Sequence, residues 1–265
     1  DMALDDLLST WRQEPHFMRS IAAWERLPAR PAKTAPWPNG LHPHLVAALQ
    51  DIGIERLYIH QAEAIAAAQA GQHWVLATAT ASGKTLAYNL PILDVLLGDP
   101  QACALYLFPT KALAHDQIAG LHTLLARLPP PGASLAVRPY DGDTPPSHRA
   151  AIRREARILV SNPDMLHTAI LPHHTRWMCF FSQLRYVVLD ELHTYRGIFG
   201  SHVANVLRRL QRICRFYGSA PRFLCASATI ANPRELAERL IEVPVTLINC
   251  DGSPQGEKHF LLYTP

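Results

Sequence analysis

The sequence predicts an α/β domain, a mostly parallel sheet covered by helices on both faces, preceded by an N-terminal helical arm. Two observations carry that prediction. Short runs such as "HWVLA", "ACALYLF", "RILV", "RYVVLD" and "RFLCAS" are apolar throughout, as strands buried on both faces are. Segments with helical spacing, of the type "ALAHDQIAGLHTLLARL", lie between them, and that rhythm calls for parallel crossovers. A chain of 265 residues, 48% apolar, is long enough to bury such a sheet.

In chain order, residues 1–40 read as an arm and a linker. One amphipathic helix is expected around Phe17 to Leu27, followed by "PARPAKTAPWPNG", whose four prolines oppose regular structure. The domain proper is placed at 41–250. It opens with "HPHLVAALQDIGI", helical in its spacing at Leu45, Ala48 and Leu49 and stopped by Gly53. Further strands are expected at "SLAV" and "VTLIN", and a loop at "LPPPGAS". Residues 251–265 read as the start of a linker.

The totals restrict partners only weakly. Twenty-five Lys and Arg against 22 Asp and Glu leave +3, a surplus that neither demands nor opposes a polyanion. Five scattered cysteines form no C-x-x-C pair, which argues against a zinc site and for a reducing, cytoplasmic compartment. No apolar run approaches the roughly 20 residues of a membrane span, and the opening "DMALDD" is unlike a leader.

Two motifs carry chemistry. In "VLATATASGKT" the phosphate-loop pattern G-x-x-x-x-G-K-[ST] is met at Gly83, Lys84 and Thr85, while Thr78 stands at the first glycine position. A strand before the loop and a helix after it would converge backbone N–H groups of Thr80, Ala81, Ser82 and Gly83 on an anion. Lys84 would then meet the β- and γ-phosphates of ATP, and the Thr85 hydroxyl a Mg²⁺ ion. The missing glycine is tolerable if Thr78 and Ala79 keep ordinary φ values. The competing reading is a strand-to-helix turn capped by Ser82, with Lys84 in solvent. The second motif is "RYVVLDELH", a buried strand that delivers two carboxylates at its end. Asp190 would hold Mg²⁺ and Glu191 would orient and deprotonate a water, as phosphoryl transfer requires; capping acids at a strand end are the alternative.

Taken with "PTKALAHDQ", "SNPDML" and "SATIANP", these strings follow the order and spacing of the first, RecA-like motor domain of superfamily 2 DExH-box helicases. The chain most resembles the MrfA-type bacterial DNA repair helicases and their fungal RecQ-like relatives, through "LYIHQ", "YDGDTP" and "DELHTYRGIFGSHVANVLRRL" over about Leu41 to Ile248. The resemblance implies that Gln61 reads adenine, with Tyr58 as a substitute for an absent stacking aromatic. It also implies that Ser227, Ala228 and Thr229 couple hydrolysis to domain movement, and that His193 links the acids to that motif. Glycine is implied where Ala79 stands, so the loop departs from the family there.

Pro109, Thr110 and Lys111 follow one strand and open a helix, and Ser161 and Asn162 follow another. Hydroxyls, amides and free N–H groups at helix starts suit sugar-phosphate oxygens, although each also makes an ordinary cap. Tyr195, Arg196 and Phe199 stand where the resemblance implies an aromatic loop sensing single-stranded DNA; a packed loop is the other reading. Arg208, Arg212 and Arg215 share one helix face and read as solvated.

The resemblance implies an ATP-dependent helicase acting in DNA repair with 3′-to-5′ polarity, whose partners are single-stranded and tailed duplex DNA and a second RecA-like domain in cis. That second domain would follow "HFLLYTP", so the chain by itself should be nearly inactive as a motor. Two alternatives stay open: an RNA helicase of the same superfamily, and a non-motor nucleotide or nucleic-acid binding module.

Overall fold

The computed structural model describes residues 4–130 and 132–264. The first three residues, Pro131 of the expected loop, and Pro265 lie outside them. The elements begin with α1 (Leu4–Gln13), α2 (Pro15–Arg19), β1 (Ile21–Leu27), β2 (Thr34–Ala35), α3 (Pro43–Asp51), β3 (Leu57–Tyr58), α4 (Ile59–Gln69), β4 (Trp74–Ala77) and α5 (Lys84–Gly98). They continue with β5 (Cys103–Leu107), α6 (Lys111–Leu125), β6 (Val137–Pro139), α7 (Pro146–Glu155), β7 (Ile158–Ser161), α8 (Pro163–Met165), α9 (Met178–Ser182) and β8 (Leu184–Leu189). The last are α10 (Gly197–Phe216), β9 (Arg222–Ser227), α11 (Pro233–Ile241), β10 (Thr246–Ile248) and β11 (Lys258–Tyr263).

Two compact units result, one from residues up to Lys33 with those from Ser253 on, the other from Thr34–Gly252. In the larger unit seven parallel strands run in the order β10-β4-β9-β8-β5-β7-β6. Alternation along each strand divides two cores. Trp74, Leu76, Tyr106, Val160, Val188 and Leu224 pack on the side of α3 to α6, whereas Val75, Leu105, Leu159, Val187, Phe223 and Cys225 pack on the side of α10 and α11. Both faces are covered, which is why the strand runs contain no polar alternation.

The smaller unit corrects the arm. The helix expected at Phe17 to Leu27 is α2 followed by strand β1, which pairs antiparallel with β11 from Leu27↔Lys258 to Ile21↔Tyr263. Segment 251–265, expected as linker, thus carries a strand. Its partner lies more than 230 residues away in sequence, so local spacing could not show it, and pairing decides strand over helix. Arg26 and Glu257 form an ion pair at 2.6 Å, and the Trp24 indole N–H donates to His259 Nδ1 at 2.9 Å. The proline-rich stretch also holds a short pairing, Thr34–Ala35 against Leu57–Tyr58. Cys103, Cys214 and Cys225 are buried, and Cys179 and Cys250 exposed. Among the described residues no helix is long and apolar enough to cross a membrane.

Candidate nucleotide and nucleic-acid site

Strand β4 is buried to its end and releases the chain into the phosphate loop, which leads into α5. Gly83 caps that helix at φ +79°, and a Cβ there would lie 2.6 Å from the Gln61 amide nitrogen, so only glycine fits. Thr78 and Ala79 keep negative φ, as the missing glycine requires; the strained residue is Ala81 at φ +61°. This moves the departure from Ala79 to Ala81, where an alanine in the left-handed region costs on the order of 1–3 kcal/mol and persists only if neighbours hold it.

The neighbours do hold it. The Thr78 and Ser82 hydroxyls lie 2.7 Å apart, and Lys84 Nζ donates to the carbonyls of Ala79 at 2.7 Å and Thr78 at 3.3 Å. Gln61, buried on α4, donates to the Gly83 carbonyl and accepts from the Tyr58 N–H, each at 2.9 Å. Both ends of the amide expected to read adenine are therefore engaged, which fixes its orientation beside the half-buried Tyr58. Burial lowers the Lys84 pKa, against the pull of Glu191, Asp190 and Asp251. Thr80 is exposed and Thr85 half-buried at the start of α5, where helix N–H groups attract anions.

Strand β8 delivers Asp190, 8% exposed, at its carboxyl end. Its Oδ1 accepts from the Glu191 N–H at 2.8 Å, and its Oδ2 accepts from the Tyr88 hydroxyl at 3.0 Å. Burial pushes the Asp190 pKa upward. Glu191 sits at φ +51°, a second non-glycine residue in the left-handed region. Carboxylate and hydroxyl oxygens are the donors a hard cation takes, so Asp190 and Thr85 fit Mg²⁺ chemically. His193 Nδ1 lies 3.3 Å from Glu191 Oε2 and accepts from the Ala228 N–H at 3.3 Å, bringing the acidic box and the "SAT" string together. Ser227 is fully buried with its Oγ unpartnered, and Thr229 is exposed.

Tyr88 escaped the sequence reading. Its fully buried hydroxyl faces Asp190 and also Gln117 Oε1 at 3.2 Å, on the helix opened by Thr110 and Lys111. Only its place inside "GKTLAY", one helical turn after Lys84, hinted at this.

The residues expected to meet nucleic acid divide. Pro109 is half-buried, Thr110 and Lys111 are exposed, Thr110 caps α6 through the Leu113 N–H, and Lys111 pairs with Asp143 of "YDGDTP" at 2.6 Å. Asn162 caps α8 through the Met165 N–H at 2.8 Å. Two expectations are corrected. The Ser161 hydroxyl is buried and donates to the Tyr140 carbonyl at 2.6 Å, so it faces no phosphate. Tyr195 is fully buried, its carbonyl so close to α10 that a Cβ on Gly200 would lie 2.5 Å from it. The exposed aromatic is Phe199, and Arg196 is exposed beside it. Phe199, His202, Arg209 and Arg212 line a groove of about 540 Å³ with Pro163 and His167, next to Asn162. Arg208, Arg212 and Arg215 are solvated, and Arg208 pairs with Glu242.

The chain matches the DEAD/DEAH box helicase family over residues 58–236. It is 52% identical over 246 residues, 93% of its length, to the uncharacterized ATP-dependent helicase YprA of Bacillus subtilis, and covers 32% of that protein. To the ATP-dependent helicase HRQ1 of Saccharomyces cerevisiae it is 46% identical over 80% of its length, covering 20%. A crystal structure of the DUF1998 helicase MrfA bound to DNA and AMPPNP superposes on the whole chain with a TM-score of 0.94 at 49% identity, and the chain covers 36% of it. The chain thus spans a third or less of the curated relatives it matches. At 22% identity and a TM-score of 0.66, the DEAD-box helicase Mss116 shares the RecA-like fold.

Proposed function

The chain belongs to the DEAD/DEAH box helicase family, and from that premise we propose that it is the ATP-binding motor domain of a DNA helicase or translocase. The observation that carries this reading is the convergence of the phosphate loop and the acidic box at the carboxyl edge of one parallel sheet, with Asp190 and Glu191 close enough to act on the Lys84 ammonium. ATP phosphates would take Lys84 from the carbonyls of Thr78 and Ala79. Asp190 and Thr85 would hold Mg²⁺, which when bound neutralises developing phosphate charge. Glu191 would orient water and accept its proton.

The strand would be DNA, single-stranded or at the tail of a duplex, gripped through its backbone by Thr110, Lys111, Asn162 and Arg196, with Phe199 available for stacking. Support for DNA over RNA comes from MrfA, described as bound to DNA, at 49% identity. A second RecA-like domain in cis would complete the site, since phosphoryl transfer of this class draws on an arginine from across a cleft. Polarity of 3′-to-5′, a role in DNA repair, and a cytoplasmic location belong to the same proposal; the five unpaired cysteines favour a reducing compartment. The decisive test is Lys84→Ala in the whole protein. ATP turnover stimulated by single-stranded DNA should be lost, and unchanged turnover would remove the nucleotide reading.

A further inference from the structure

His60, within "LYIHQ", takes no part in the chemistry above. It is fully buried on the first turn of α4. Its Nε2 lies 3.0 Å from the Ser82 carbonyl, and its Nδ1 accepts from the Gly252 N–H at 3.1 Å. A carbonyl only accepts and an amide N–H only donates, so the ring is the neutral tautomer protonated on Nε2. Burial, the largest influence, lowers its pKa and agrees with that state. Beside it the Asp251 carboxylate accepts from the Ala79 N–H at 3.2 Å through Oδ2, with Oδ1 3.9 Å from His60 Nδ1.

These bonds reach the loop at Ala79 and at Ser82, and so bracket Ala81, whose left-handed backbone needs outside support. Both originate at one place, the chain just after β10, through Asp251 directly and through Gly252 by way of the His60 ring.

We propose that His60 and Asp251 are positioning residues for ATP, a clasp that holds an alanine-containing phosphate loop in the shape a glycine would reach unaided. The carboxylate acts as an acceptor for the Ala79 N–H. Neither residue touches the reacting atoms. The proposal rests on the nucleotide reading of the site.

The test uses ATP turnover and fluorescent ATP-analogue binding in the whole protein, with melting curves to confirm folding. Asp251→Ala is expected to raise KM for ATP about tenfold with kcat within about twofold, as loss of a ground-state contact does. Asp251→Asn retains an acceptor oxygen and should hold KM near the parent value. His60→Gln keeps a donor for Ser82 and loses the tie to Gly252, so its KM should fall between. The sharpest readout is Ala81→Gly, which should shrink the Asp251→Ala effect severalfold, because glycine adopts the required φ without help. An unchanged KM in both Asp251→Ala and His60→Gln, a loss confined to kcat, or an undiminished Asp251→Ala effect in the Ala81→Gly background would overturn the clasp. Lys84→Ala runs alongside. If it too binds and hydrolyses ATP normally, the nucleotide reading itself falls; if it alone is inactive, only the clasp does.

Discussion

The proposed nucleotide edge and the proposed nucleic-acid face lie at the same end of one sheet but are built differently. At the nucleotide edge polar side chains are buried and tied to one another: Gln61 to Gly83, His60 to Ser82, Asp190 to Tyr88. On the proposed nucleic-acid face the ionic groups are exposed and paired at the surface, as in Lys111 with Asp143. A buried polar network loses a desolvated partner with every deletion, whereas a surface pair contributes little and is screened by salt. The first region should respond to substitution nearly all or none, the second by degrees.

The largest effect is expected of Glu191→Gln. Removing a general base costs about 10²–10⁴ in rate, while the amide keeps shape and hydrogen bonding. Turnover should collapse with ATP still bound, measured by single-turnover hydrolysis and nucleotide retention; ordinary hydrolysis would make the acidic box structural.

Tyr88→Phe comes next. It removes the one hydroxyl proton within reach of both Asp190 Oδ2 and Gln117 Oε1, and an unsatisfied buried acceptor costs about 1–3 kcal/mol. We expect a loss of order tenfold in kcat and a lower melting temperature. A variant indistinguishable from the parent in both would dissolve the contrast between buried and surface networks.

On the other face, Lys111→Ala should weaken single-strand binding only severalfold and flatten its salt dependence by about 0.7 in the log–log slope, one phosphate contact on a single strand. Asp143→Ala should act in the opposite sense, since it releases Lys111 from its 2.6 Å pair. Titrations of a labelled strand at several salt concentrations measure both, and equal losses in the two would mean that the pair itself is what the strand recognises.

The smallest effect is thermal. Burial holds the Asp190 pKa above its ordinary value, so the folded state binds the proton more tightly than the unfolded one, and ionisation costs stability. That cost is absent below the ordinary carboxylate range, grows as pH rises through the raised value, and is fully present beyond it. Asp190→Asn should therefore melt higher than the parent at neutral pH without nucleotide. Its amide can donate to the Tyr88 oxygen while Tyr88 donates to Gln117. The gain should vanish in acid.

What the sequence made legible follows from range. The five central strands of the main sheet announce themselves as apolar runs because burial on both faces leaves a local mark, whereas at the edge β6 shares only Val137 with the expected "SLAV" strand and continues through Arg138 and Pro139. The phosphate loop and the acidic box are short strings whose chemistry is contained in consecutive residues. Whatever depends on a distant partner was hidden. Ile21–Leu27 reads as a helix until β11 lies beside it. Ser161 and Tyr195 read as surface groups until the Tyr140 carbonyl and the packing of α10 claim them. Tyr88 and His60 look like helix residues among others, and Asp251 like a loop acid, because nothing local says which hydrogen bonds they complete.

The distribution of cysteines has a practical consequence. Burial pushes the thiols of Cys103 and Cys214 up to about 11 and that of Cys225 further still, so at neutral pH all three stay protonated and shielded from alkylating dyes. Cys179 and Cys250 face solvent. A Cys179→Ser chain therefore carries one addressable thiol, at the residue preceding the carboxylate that grips Ala79. An environment-sensitive fluorophore there becomes an optical reporter of the phosphate loop, able to follow nucleotide arrival in real time without any label on the nucleotide or the strand.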